Sequence, residues 1–294
     1  MKAKINVIAA MLMFGSIGLF VRGIALPSSV IALVRGVIGC FFLVTAGSLM
    51  KQPVNWKAVK SNWLVLVLSG AAIGFNWIFL FEAYRYTTVS CATLSYYFAP
   101  VFVILVSPVV LGEKLTKRKL CCAAGAVIGM ILVSNVLFLD QGENGLIGIF
   151  FGLMAAVLYA SVMILNKFMK GLTGLETTAA QLGVAAVILL PYTLLTSAEP
   201  FSAVFAAVPA VSWILLVFVG IVHTGVGYLL YFSAMKKLPA QTVAVLSYID
   251  PVTAIILSAV ILGETMSGPQ MAGAVLILGM TWLGGRESQN KQGN

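Results

Sequence analysis

The sequence predicts an all-α polytopic membrane protein, with ten transmembrane helices in two inverted five-helix repeats. Three observations carry that expectation. Of 294 residues, 61% are hydrophobic and 9% are charged, whereas a soluble domain carries about 25% charged residues. The apolar residues run in blocks of about 20, the length that crosses a ~30 Å hydrocarbon core at 1.5 Å per residue. One seventeen-residue segment also returns, in register, 151 residues later.

The spans are expected at 5–22, 27–49, 63–84, 88–110, 120–139, 146–166, 175–195, 213–235, 240–262 and 271–285. The first, within MKAKINVIAAMLMFGSIGLF, has the basic start and apolar body of a signal peptide. It lacks a clear small-x-small cleavage site and reads as a membrane helix. RYTT joins the third and fourth spans, and KKLP the eighth and ninth, so each pair forms a tight hairpin. The longest connection, 196–212, is itself apolar, and no loop has room for a separate domain. A β-barrel would show short alternating segments in place of these blocks.

Placing the N-terminus in the cytoplasm puts fifteen basic residues at inner ends, among them Lys57, Lys117 and Lys167. The outer ends hold Arg22 and Arg85, and Arg35 lies within a span. That bias orients the chain with both termini cytoplasmic, in a bacterial inner membrane. It also accounts for the net charge of +9 without a nucleic-acid partner. The four cysteines, Cys40, Cys91, Cys121 and Cys122, show no metal-ligand spacing and read as small buried hydrophobes or inert thiols.

The recurring segment is YFAPVFVILVSPVVLGE at 97–113 and YIDPVTAIILSAVILGE at 248–264, identical at nine of seventeen positions. They are the fourth and ninth spans, so the repeat unit is five helices. An odd count means that the halves run oppositely through the membrane, as in secondary transporters that bind substrate at the midplane. The expected units are 1–139 and 146–285, followed by a cytoplasmic tail at 286–294.

Ten spans, a five-plus-five repeat and Pro followed twelve residues on by Gly-Glu resemble the drug/metabolite transporter superfamily, and within it the EamA-type family. Further stretches carrying the likeness are LVRG at 33–36, FEAYRYTTVS at 81–90, ASVMILNK at 160–167 and YFSAMKKLPA at 231–240. The resemblance implies export or exchange of small metabolites, such as amino acids or organic cations. It also implies a central cavity lined by spans 1, 3, 4, 6, 8 and 9. Against that pattern Asp250 and His223 are unusual, and the first-half counterpart of Asp250 is Ala99.

Ionisable groups deep in a membrane cost several kcal/mol and usually face a cavity or a partner. Asp250, His223, Arg35 and Asn76 all fall near mid-span. Asp250 precedes Pro251, which opens a backbone carbonyl one turn earlier and bends the helix, as Pro100 does in the first half. The carboxylate is expected to couple transport by binding a proton or a cationic group, against the alternative of an interhelix hydrogen bond. Gly220 and Gly227 flank His223 on one helix face, which would let His223 pair with Asp250 across the hairpin. The alternative is a neutral histidine bonded to a backbone carbonyl.

Arg35 keeps its charge and reads as a structural or gating group, or as a carboxylate anchor. Glu82 with Arg85 reads as an interfacial ion pair. Trp77, Tyr96, Tyr97 and Tyr248 are candidate walls for an organic or cationic substrate, with Asn76 as a hydrogen-bonding neighbour. Each of these also has a plain packing reading. The expected substrate-binding set is thus Asn76, Trp77, Tyr96, Tyr97, His223, Tyr248 and Asp250. Coupling or gating falls to Asp250, His223 and Arg35. The expected partners are a small-molecule substrate, protons and the lipid bilayer.

The rivals are an intramembrane enzyme and a non-transporting membrane scaffold. The enzyme reading lacks HExxH, GxSxG and converging catalytic groups, and no metal or cofactor is expected. A scaffold gives no reason for Asp250 and Arg35 at depth.

Overall fold

The computed structural model describes residues 2–51, 55–112, 117–134, 143–196, 208–235, 246–247 and 249–290. Regular structure among them is helical throughout. Among the described residues seven helical stretches, two of them built from more than one helix, are long and apolar enough to cross a membrane: Lys2–Arg22, Ser28–Leu49, Trp63–Tyr86, Val89–Val106, Gly145–Asn166, Gly174–Thr196 and Ala210–Tyr231. Three apolar helices are shorter: Leu120–Val133, Ile249–Ile261 and Gly268–Met280.

In chain order the helices are α1 (Lys2–Arg22), α2 (Ser28–Leu49), α3 (Trp56–Ser61), α4 (Trp63–Tyr86), α5 (Val89–Tyr96), α6 (Ala99–Leu111) and α7 (Lys117–Ser134). They continue with α8 (Glu143–Asn166), α9 (Gly174–Thr196), α10 (Ala210–Phe218), a π-helical segment (Val219–Val226), α11 (Gly227–Met235), α12 (Ile249–Ile261) and α13 (Gly268–Asn290). The short α3 lies where the sequence reads as a loop. Asn55 starts it by accepting the Ala58 amide, and a side-chain oxygen there satisfies one of the helix's free N–H groups.

The expected fourth span is two helices. Pro100 has no N–H to return to the Tyr96 carbonyl. The chain tightens across the gap, with the Phe98 amide on Ser95 O at 3.2 Å and the Val101 amide on Phe98 O at 2.9 Å. Pro251 sits in the first turn of α12, where the missing N–H would have lacked a helical partner anyway. At their far ends α6 and α12 stop at Gly112 (φ 65°) and Gly263 (φ 66°). This left-handed backbone, which favours glycine, closes a helix end. Past Gly263 the Glu264 amide folds back to the Ser258 carbonyl at 3.2 Å.

Packing crosses between the two parts of the chain. α1 lies on the π segment, α11 and α12. α8 lies on α4, α5 and α6. α2 packs on α9 and the π segment, α4 on α9, α7 on α13, and α5 on α12. The largest apolar core gathers Leu33, Trp77, Phe81, Leu182, Leu189 and Leu216 from these crossings. Outward faces stay apolar: Val109 is 88% and Val260 76% exposed. Such surfaces suit lipid, because water would penalise them.

Two ends of the molecule are held by polar contacts. At one, Glu264 pairs with Arg22 and accepts the Val89 amide at 2.9 Å. This ties the ends of α1, α5 and α12 together. Arg85 there pairs with Glu82 at 3.5 Å and donates to Leu26 O at 2.6 Å, so the expected interfacial pair is present. At the other, Glu176 accepts the Asn55 and Thr173 amides at 2.8 and 2.7 Å. There Asn62 also donates to Lys170 O at 2.8 Å.

Candidate functional site

The gap between α5 and α6 turns Tyr97 toward α12, where its hydroxyl is the hydrogen-bond partner of the Asp250 carboxyl. Asp250 is only partly buried by protein atoms. Tyr84, Tyr96, Tyr159 and Tyr228 also lie within electrostatic reach of it. Tyr96 leans on Tyr97 with ring centroids 6.0 Å apart, and on Tyr159 at 5.2 Å. Phe14 of α1 packs edge-on against Tyr228 at 5.4 Å. The acid therefore sits in an aromatic enclosure drawn from α1, α4, α5, α8 and α11.

Arg35 is 4% exposed. Its Nε donates to Thr224 Oγ1 at 2.6 Å. Its guanidinium lies 4.2 Å over the Trp77 ring and 5.7 Å from Phe81. Among the described residues no carboxylate lies within ion-pair distance of it. Ring faces attract a cation most strongly where water is excluded, so Trp77 offsets part of the burial cost. Tyr84, Tyr96 and Tyr228 lie within reach of Arg35 as well. These three tyrosines are thus shared between the cation and the acid.

His223 is 1% exposed, set between Phe20 at 5.0 Å and Phe218 at 5.5 Å. Its Nε2 is 3.0 Å from Ser16 Oγ, and its Nδ1 has no partner among the described residues. The direct His223–Asp250 pair expected across the hairpin does not form, because α1 runs between the two. Ser16 faces the histidine, while Gly15 lies so close to α12 that a Cβ there would collide with the Asp250 carbonyl. The two glycines near His223 also face different neighbours: Gly220 meets Ile38 of α2, and Gly227 meets Phe14 of α1. The wider turn of a π-helix, bonded i to i+5, rotates them apart; such turns gather at functional sites.

Of the remaining expected residues, Asn76 is buried and donates to the Ala155 carbonyl at 2.5 Å, which fastens α4 to α8. Trp77 serves Arg35 directly. Tyr248 lies outside the described residues. Four groups escaped the sequence reading: Ser16, Thr224, Phe14 and Tyr159. Ser16 and Thr224 are hydroxyls in apolar runs, a signal too common to select them. At the Arg22–Glu264 end a cavity of about 250 Å³ reaches inward to Phe81 and Tyr84 and includes the Ser28 side chain. The Ser28 hydroxyl has no partner among the described residues.

The comparisons with known proteins agree with this architecture. The model of the EamA-like transporter family matches residues 1–135 and 146–283. An uncharacterized transporter, YxxF, of Bacillus subtilis (strain 168) is 31% identical over 94% of this chain and 86% of its own. A probable amino-acid metabolite efflux pump of Salmonella typhimurium is 28% identical over 73% of this chain and 74% of its own. A crystal structure of another protein superposes with a TM-score of 0.66 at 20% identity, over 96% of both chains, which speaks for the fold. The chain is an integral membrane transporter and not an enzyme: it belongs to the EamA-like transporter family.

Proposed function

We propose that the protein is a secondary active exporter of a small metabolite, driven by proton exchange at Asp250, with alternating access about a midplane site. The carrying observation is the Asp250–Tyr97 contact at the helix gap, inside the tyrosine enclosure. A carboxylate that holds either a proton or a cationic substrate group, never both, gives antiport by competition. Tyr97 and Tyr96 form its walls, and Arg35 is its polar neighbour across the shared tyrosines. The efflux named for the Salmonella relative supports the direction.

Ten crossings in two inverted halves, 1–139 and 146–285, suit the packing. Exchanging the halves turns the α1 contacts with α11 and α12 into the α8 contacts with α4 and α6. Gly112 and Gly263, at matching repeat positions, share one backbone conformation. In this reading the three shorter apolar helices cross together with the seven long ones. The basic loops place both termini in the cytoplasm of an inner-membrane protein.

The test is proteoliposomes loaded with a pH dye and challenged with amino acids and organic cations. A substrate of the native protein should move protons, and Asp250→Asn should stop uphill transport while downhill exchange persists. If Asp250→Asn pumps uphill at the native rate with the native pH dependence, the coupling role is wrong.

A further inference from the structure

The cavity of about 250 Å³ at the Arg22–Glu264 end is bounded by α1, the α1–α2 turn, α2 and α4. Ser28 borders it. This residue is 1% exposed, and its hydroxyl has no partner among the described residues. A buried hydroxyl left unpaired is costly, and a ligand that bonds it removes that cost. Ser28 also opens α2. Pro27 gives that start no side-chain cap. Ile31 donates to Pro27 O at 3.1 Å, and the amides before it have no acceptor within the helix. A helix start of this kind carries about half a positive charge. Two guanidiniums border the same cavity. Arg85 is pinned beside the start of α2 by its bond to Leu26 O at 2.6 Å, and Arg22 is held by Glu264. Each has further N–H donors beyond these contacts. The remaining walls include Val21, Ile24, Ile31 and Phe81.

We infer that this cavity is a second ligand site, apart from the Asp250 enclosure, and that it binds a short-chain monocarboxylate. The carboxylate lies on the Ser28 hydroxyl, the first α2 amides and the two arginines, and the hydrocarbon part on the apolar walls. The molecule already holds one carboxylate with the same kinds of donor: Arg22 and the Val89 amide at the start of α5 together bind Glu264. Charge decides between a carboxylate and a phosphate. Arg22 and Arg85 are each shared with a glutamate, so the uncompensated charge is close to that of the helix start alone. A single negative charge suits it. A phosphate dianion would bring excess charge next to Glu82 and Glu264. The apolar walls also favour a ligand with a hydrocarbon part over a bare inorganic anion, and the size of the cavity keeps that part short.

Ligand-induced thermal stabilisation of the full-length protein, purified in detergent, tests the site. The probes are sodium n-alkanoates from acetate to decanoate, n-alkanols of the same lengths, and inorganic phosphate. The best alkanoate should be shorter than octanoate. It should half-saturate at about a tenth or less of the concentration needed for its matched alkanol or for phosphate, the scale of one hydrogen bond to a charged group. Ser28→Ala and Arg85→Gln should each raise that concentration about tenfold and leave the response to alkanols unchanged. Arg85 has a half-exposed side chain, so Arg85→Gln tests the site even where Ser28→Ala weakens the fold. Each variant's own melting temperature is the zero for its shifts, so lost stability is not read as lost binding. The inference is overturned if no alkanoate outperforms its alkanol, or if phosphate matches the best alkanoate. Affinity that rises steadily through decanoate, as for chains entering the micelle, overturns it too. So does native affinity in either variant, and loss of binding in Arg35→Gln alone would move the carboxylate to the buried guanidinium instead.

Discussion

Gly15 is where α1 meets α12 at the level of Asp250, and Gly15→Ala tests whether that crossing is as close as it looks. A Cβ at this position would lie 2.7 Å from the Thr253 Cβ and 3.2 Å from the Ala254 amide nitrogen, besides the clash with the Asp250 carbonyl. Two of those atoms are backbone and cannot rotate away. Relief needs α1 and α12 to part by about 1 Å, and overpacking of this kind costs about 1–3 kcal/mol. The next residue limits the escape. Ser16, about 100° further round the helix, already holds His223 at 3.0 Å, so a displaced α1 disturbs that contact too. Gly15→Ala should therefore lose about 1–3 kcal/mol. Adding Ser16→Gly should return part of it, with a coupling of at least about 0.5 kcal/mol. Reversible unfolding in mixed micelles, single and double variants side by side, gives both numbers. If Gly15→Ala unfolds with the native midpoint, or the two changes are additive, α1 is not wedged between the π segment and α12.

Asn76→Ala should cost about 0.6–2 kcal/mol, the range for one interhelical hydrogen bond in a membrane, yet leave the substrate concentration for half-maximal transport within about twofold of native, since Asn76 is spent on Ala155. Vesicle uptake kinetics separate the two effects. Glu264→Gln removes the charge that joins Arg22 to the Val89 amide. Cysteines placed at Ser28 should then react faster with impermeant maleimide than in the native background, and unchanged rates would deny that this contact closes that end. Orientation is checked in whole cells: a cysteine near Asn144 should label from outside, whereas ones near Lys57 or Lys117 should label only after permeabilisation.

The helix boundaries were legible because a bilayer demands long apolar blocks, and those blocks end at basic and turn residues. α2 begins and ends within a residue of the expected span, and α8 ends where expected. Asp250, Arg35 and Tyr97 were legible for a related reason, since a polar group at that depth needs a purpose. Partners were not legible. Nothing in the run GIVHTGVG announces a π-helical turn, so the faces of Gly220 and Gly227 could not be assigned by α-helical spacing. The tight loop between spans eight and nine suggested that His223 would meet Asp250, but sequence adjacency says nothing about a third helix entering between them. Asn76 shows the same limit: its depth was right, and only the Ala155 carbonyl beside it decides its use.

The position of α1 sets an order of events for the nascent chain. This helix is made well before its partners, the π segment, α11 and α12, which begin about 200 residues later. At roughly 5–20 residues per second the wait is on the order of 10–50 s. During it the face around Gly15, which packs on α12, has only lipid or other helices to cover it. Contacts this distant in sequence are slow to close, so synthesis of α12 completes a seam that α1 opened. A chain halted before residue 249 would hold most of its hydrophobic helices, with the π segment and α11 among them, and still lack α12, the surface that Gly15 meets.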